Sequence, residues 1–117
     1  MILYGIKSCD TVKKARKYLE QQQWKHDFHD FRSDGLEADL VASWLAKVGH
    51  KVLLNTRSTT WRTLDDSDKA DMDNEKAKAL ILAHPTLIKR PVLAAGNHIL
   101  VGFKAADYDR WITQYGQ

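Results

Sequence analysis

The sequence predicts an α/β fold in which a parallel βαβ unit and a C-terminal β-hairpin share a mixed four-stranded sheet, with a helical insertion between them and a helix at the end. The grounds are a change of hydrophobic period early in the chain, a long middle stretch of mostly helical pattern, and two apolar runs flanking Gly96-Asn97 near the C-terminus.

Residues 2–6 form a short apolar run suited to a strand covered on both faces, and it breaks at Gly5-Ile6-Lys7-Ser8. From Asp10 the period changes. Val12, Ala15 and Leu19 recur at spacings of three and four, Lys and Arg occupy the other side, and residues 8–11 supply capping types, so an amphipathic helix should end at 21–23. Residues 24–31 mix aromatics with histidine and aspartate and stop at Arg32-Ser33-Asp34-Gly35, which predicts a second strand. Strand, helix and strand at this spacing imply a right-handed parallel crossover.

Leu36, Leu40, Val41, Trp44, Leu45 and Val48 form an apolar helical stripe, with Glu37 and Asp39 near the positive end of the helix dipole and Gly49 as its stop. Residues 53–63, which include Asn55-Thr56-Arg57-Ser58-Thr59-Thr60, are expected to be a polar loop. A further helix should run from near Asn74 to Ala83, broken by His84-Pro85. Pro91-Val92-Leu93-Ala94 and His98-Ile99-Leu100-Val101 are strand candidates joined through Gly96-Asn97, a dipeptide suited to a tight hairpin turn. Beyond Gly102-Phe103, Tyr108, Trp111, Ile112 and Tyr115 recur at helical spacing. The order βαβ, helices, hairpin, helix is the thioredoxin-like order.

A chain of 117 residues with 44% hydrophobic content supports one core, so a single domain over 1–117 is expected, with a largely helical insertion at about 36–84. The lone cysteine rules out an internal disulfide and any zinc site needing two or more cysteines, and it suits a reducing compartment. The sequence opens on Met1-Ile2-Leu3-Tyr4 without a charged leader and contains no apolar stretch of membrane-spanning length, so a soluble cytoplasmic protein is expected, as a monomer. The net charge of +3 is spread among acidic residues, with neither a Lys/Arg block nor an aromatic platform, which favours small anions over nucleic acid. His26 and His29, three apart on the expected second strand, would face opposite ways. With His84 and His98 as loop or strand-edge residues, neither a metal nor a nucleotide is expected.

Cysteine reacts as the thiolate, and an unperturbed thiol of pKa about 8.5 is only roughly 3% ionised near neutrality. Cys9 follows the first strand and immediately precedes the helix, where unpaired N–H groups and the positive dipole end would favour the anion; Lys13, four residues on, would add a cation. The competing reading is a small buried apolar cysteine. If the hairpin completes the sheet, Pro91 lies beside the end of the first strand and hence near Cys9; a cis Arg90-Pro91 peptide and an ordinary proline at a strand's first residue both remain open. Arg57 stands among hydroxyl residues and either binds an oxyanion or a glutathione carboxylate or is a solvated arginine.

The ordered segments Tyr4-Gly5-Ile6-Lys7-Ser8-Cys9-Asp10-Thr11-Val12-Lys13-Lys14-Ala15, Leu54-Asn55-Thr56-Arg57, Ile88-Lys89-Arg90-Pro91 and Val101-Gly102-Phe103-Lys104 resemble the arsenate reductase family of thioredoxin-like proteins, in particular its bacterial YffB branch. The resemblance implies that Cys9 is the nucleophile, that Arg57 and Arg90 hold an anionic substrate or adduct, and that Pro91 is cis. Family members that reduce arsenate carry a third arginine shortly after the hairpin. Here that stretch reads Leu100-Val101-Gly102-Phe103-Lys104, which argues against arsenate as substrate. The related Spx-type transcription regulators carry a Cys-x-x-Cys switch whose second position is Val12 here.

The expected function is a glutathione-dependent thiol reductase. Cys9 attacks an oxidised substrate or mixed disulfide, and an external thiol resolves the adduct because no second cysteine exists. Glutathione is the expected co-substrate, with a glutaredoxin or a glutathionylated substrate as further partner. Lys13 would stabilise the thiolate, Arg57 and Arg90 would bind carboxylates, and backbone at Pro91 would pair with the bound peptide. The alternative from another class is a non-catalytic interaction or regulatory module of the Spx-like type.

Overall fold

Leu3, Tyr4 and Gly5 are buried along β1 (Ile2–Gly5), which occupies the interior of a sheet ordered β2-β1-β3-β4. The computed structural model describes residues 1–116, in two compact units: Met1–Gly35 together with the chain from Arg90 onward, and Leu36–Lys89.

In the first unit, α1 (Asp10–Gln21) buries Val12, Ala15 and Leu19, the stripe expected from their spacing. β2 (Asp27–Asp30) runs parallel to β1, with Leu3 opposite Phe28 and Gly5 opposite Asp30. It is shorter than the expected strand over 24–31. The chain reverses after α1 with Gln23 at φ 58°, and the Trp24 N–H returns to the Leu19 carbonyl at 3.0 Å, so Trp24 packs against the core as part of the helix ending. His26 therefore precedes β2 and does not share a strand with His29; the expected opposite-face pair is corrected accordingly.

β3 (Val92–Ala95) pairs antiparallel with β1, Leu3 opposite Leu93, and with β4 (His98–Val101). Gly96 takes φ 57° in the connecting turn, a left-handed conformation that glycine adopts without side-chain strain. β3 starts one residue after Pro91, which has no N–H to give to a ladder. α7 (Ala105–Tyr115) closes the unit. One core cluster joins Leu3 and Leu93 of the sheet to Ala15 and Leu19 of α1 and to Tyr108 and Ile112 of α7. Each large apolar side chain so buried is worth about 1.5–3 kcal/mol. The Tyr18 hydroxyl also donates to the Asp109 carboxylate, joining α1 to α7 at the surface.

Gly5 marks the closest approach of β1 to α1: a Cβ there would lie 2.7 Å from Cγ2 and 3.0 Å from Cγ1 of Val12, itself fully buried. Gly5→Ala should therefore destabilise the protein by about 1–3 kcal/mol through overpacking, read as a lower urea midpoint at unchanged slope. An unchanged midpoint would show that Val12 yields freely.

The second unit contains α2 (Ala38–Val48), which buries Val41, Trp44 and Leu45 and stops at Gly49 as expected, then α3 (His50–Leu53). The expected polar loop over 53–63 is corrected. Ser58 Oγ accepts from the Trp61 N–H at 3.1 Å and opens α4 (Thr59–Thr63), and α5 (Asp66–Lys69) follows. α6 (Asn74–Ala83) is capped by Asp73, which accepts from the Lys76 N–H at 2.8 Å, and a 3₁₀ turn spans Pro85–Leu87. The unit extends past 84 to Lys89 because residues 87–89 bond back to 53–55: Asn55 N–H to Leu87 O at 2.7 Å, Lys89 N–H to Leu53 O at 2.8 Å, and a bridge between Leu54 and Ile88. Among the described residues no helix is long and apolar enough to cross a membrane.

Candidate active site

Cys9 occupies the N-cap position of α1 in extended conformation, φ −77° and ψ 125°. The preceding loop is short. The Cys9 N–H closes a turn onto the Ile6 carbonyl at 3.0 Å, and the Cys9 carbonyl accepts the Lys13 N–H at 3.0 Å as the helix begins. The thiol is half-buried, so it is neither the sealed core cysteine of the competing reading nor a freely solvated one.

Opposing influences act on this sulfur. Burial pushes its pKa up, but the backbone N–H of Val12, a hydrogen bond and charge from the Arg90 guanidinium, and the N–H of Thr11 together hold it below the ordinary thiol value. Sγ makes no full capping hydrogen bond in this geometry. The helix-start amides lie near enough to favour the anion, as expected for unpaired donors at a helix N-terminus.

Arg90 is half-buried and Pro91 buried, immediately before β3, and the Arg90-Pro91 peptide is cis. The Gly102 N–H donates to the Pro91 carbonyl at 2.8 Å and ties this corner to the end of β4. The first unit thus brings Cys9, Arg90 and Pro91 together. Arg90 acts on the thiol through a hydrogen bond and its charge; Lys13 is exposed, and its backbone N–H donates to the Cys9 carbonyl. Arg57 belongs to the second unit, exposed, its N–H donating to Asn55 Oδ1 at 3.2 Å.

Sequence reasoning missed Asp30. It ends β2, is 5% exposed, and accepts backbone N–H groups from Lys7 at 3.0 Å, Arg32 at 2.7 Å and Ser33 at 3.3 Å. Burial alone would raise its pKa, yet these donors and the Lys7 charge hold it below the usual carboxylate range. The turn signal Arg32-Ser33-Asp34-Gly35 gave a local hint, but the bond to Lys7 joins residues 23 apart in sequence. Nearby, His29 lies against the Tyr4 ring at 5.0 Å and its Nε2 donates to Gly35 O at 2.7 Å.

This architecture recurs in known proteins. A solved YffB protein superposes with a TM-score of 0.90 at 47% identity, over 93% of this chain and 96% of that one. An arsenate reductase (ArsC) related protein from Brucella melitensis gives 0.77 at 40% identity, over 95% and 92%. A protein of Haemophilus influenzae is 43% identical over 91% of this chain and 93% of its own length. The global transcriptional regulator Spx 2 of Bacillus anthracis is 26% identical over 97% of this chain and 88% of its own. With residues 4–111 matching the family pattern and the thioredoxin-like sheet in place, the chain belongs to the ArsC family.

Proposed function

We propose that this protein is a single-cysteine thiol reductase that uses glutathione. The observation that supports it most is the Cys9 thiol at the start of α1, held below its ordinary pKa by Arg90 and the amides of Thr11 and Val12. The Cys9 thiolate attacks the sulfur of a glutathionylated substrate, forming a Cys9–glutathione disulfide and releasing the substrate as its thiolate. A second glutathione, or a glutaredoxin, then attacks that disulfide, regenerating Cys9 and leaving oxidised glutathione when glutathione itself is the resolving thiol. The sequence has no second cysteine to resolve the adduct internally.

In this reading Arg90 and Arg57 pair with glutathione carboxylates, the backbone at Pro91 pairs with the bound peptide, and Lys13 adds positive potential. The protein acts as a soluble cytoplasmic monomer folded as one thioredoxin-like domain. Arsenate is the less favoured substrate, since residues 100–104 hold no arginine.

The test is intact-mass analysis after incubation with oxidised glutathione, followed by turnover of a glutathionylated peptide. Wild type should form a one-to-one adduct that Cys9→Ser abolishes and Arg57→Ala or Arg90→Ala weakens. The Spx relatives favour a second reading, a docking module without catalysis. A thiol titrating at about 8.5 or higher, with no adduct formed, would select it.

A further inference from the structure

We infer that Asp30 is a positioning residue for Cys9: its carboxylate anchors the loop between β1 and α1 and so sets where the sulfur meets the helix-start amides and Arg90. This rests on the reading of Cys9 as a reactive thiolate and adds to it a residue that does not touch the substrate.

The connection is short and continuous. Asp30 is fixed to the sheet by its place opposite Gly5 and by the Phe31 N–H, which donates to the Gly5 carbonyl at 2.9 Å. Its own N–H donates to Asp34 Oδ2 at 3.0 Å, while one carboxylate oxygen takes the amides of Arg32 and Ser33. The other oxygen takes the Lys7 N–H, two residues before Cys9. Between Lys7 and the helix the loop has one further backbone tether, the turn from Cys9 N–H to Ile6 O. An ionised acceptor makes the stronger kind of hydrogen bond, and a buried one with several amide donors is rigidly placed. The carboxylate therefore fixes the loop to the sheet, and the loop carries the sulfur.

The charged groups are arranged so that the sign of the effect is informative. Arg90 faces the sulfur and Lys7 faces Asp30. If Asp30 acted on Cys9 through its negative charge, removing that charge would lower the thiol pKa. If it were only a structural staple, the thiol would not change. Positioning predicts the opposite of a charge effect: the pKa rises, because amides and guanidinium lose their alignment on the anion.

Asp30→Asn keeps the shape but replaces one acceptor oxygen by a donor facing backbone N–H groups. The pKa of Cys9 is read from the midpoint of iodoacetamide alkylation rate against pH. The midpoint is used because a thiolate of higher pKa is intrinsically more nucleophilic and partly masks a rate change. The expected result is an upward shift of about one unit, a roughly tenfold smaller thiolate fraction below the midpoint. A second variant removes the Lys7 donor and leaves the Ile6 carbonyl as a weaker, ester acceptor for the Cys9 N–H: residues 1–8, with an ester in place of the Ile6–Lys7 amide, are ligated as a thioester to a fragment that begins at Cys9. It should raise the midpoint in the same direction while Asp30 keeps its charge.

An unchanged or lowered midpoint in either variant, with wild type depressed, overturns the positioning role and leaves the thiolate reading standing. A wild-type midpoint at the ordinary thiol value overturns the thiolate reading and the positioning role with it. If Asp30→Asn does not fold, Asp30→Glu, which keeps the charge and the Ile6 carbonyl but displaces the carboxylate, is read with the ester variant: a raised midpoint in both supports the role, and an unshifted one in either overturns it.

Discussion

Tyr108→Ala is expected to cost about 3–5 kcal/mol, a large share of the stability of a domain this size, and to leave little folded protein in mild urea. Tyr108 is fully buried, in one cluster with Leu3, Ala15, Leu19, Leu93 and Ile112, and its ring meets Phe103 edge-on at 4.8 Å. Truncation removes the ring that α7 lays into this cluster and opens a cavity that the sheet and two helices cannot readily close. The hydroxyl is a separate matter. It donates to the Gly102 carbonyl at 3.1 Å, and burial holds its pKa above the usual phenol value, so it is a neutral donor throughout the ordinary pH range. Tyr108→Phe keeps the packing and should cost only about 0.5–1.5 kcal/mol. Urea unfolding of both variants gives the comparison; similar losses would mean that the hydrogen bond, not the ring, holds α7.

Arg90→Ala should return the Cys9 thiol toward its ordinary pKa, an upward shift of about one unit or more and a tenfold or greater loss of thiolate below the midpoint. Arg90 opposes burial through both a hydrogen bond and its charge, while Val12 and Thr11 contribute amides that the substitution leaves in place. Arg90→Lys retains the charge without the planar fork and should fall between the two. The same shift links stability to pH. A thiol whose folded pKa lies below its unfolded value of about 8.5 adds stability that is fully present above the unfolded value and is lost as pH falls through the folded one. Wild-type stability should therefore carry a rise with pH across that interval, and Arg90→Ala should flatten it. Urea midpoints at a series of pH values test this, and an identical slope in both proteins would remove Arg90 from the thiol's surroundings.

Where local pattern and tertiary demand agreed, the elements were legible. The stripe Val12, Ala15, Leu19 became the buried face of α1, Gly96-Asn97 became the hairpin turn, and Asn74–Ala83 is the helix expected there. α4 and α5 were not legible because helices of four or five residues hold too few internal hydrogen bonds to leave a periodic signal; α4 depends on Ser58 as a cap. The shortened β2 reflects Trp24, whose aromatic ring suggested a strand but which the turn after α1 sets, partly buried, against the core.

For the site, Cys9 could be read from position alone, since a residue just before a helix faces its unpaired amides wherever the rest of the chain goes. Asp30 could not, because an aspartate ending a strand looks like a solvated turn residue until the distant Lys7 amide is brought to it.

Sequence alone determined the order of the four strands and of the longer helices α1, α2, α6 and α7, the lone thiol at a helix start and the absence of an internal disulfide partner, since period, capping and composition are local properties. Tertiary structure alone decided which cation acts on that thiol and which carboxylate anchors its loop. Arg90 and Asp30 reach the neighbourhood of Cys9 through sheet pairing, and strand register is an outcome of long-range packing that spacing along one chain does not encode.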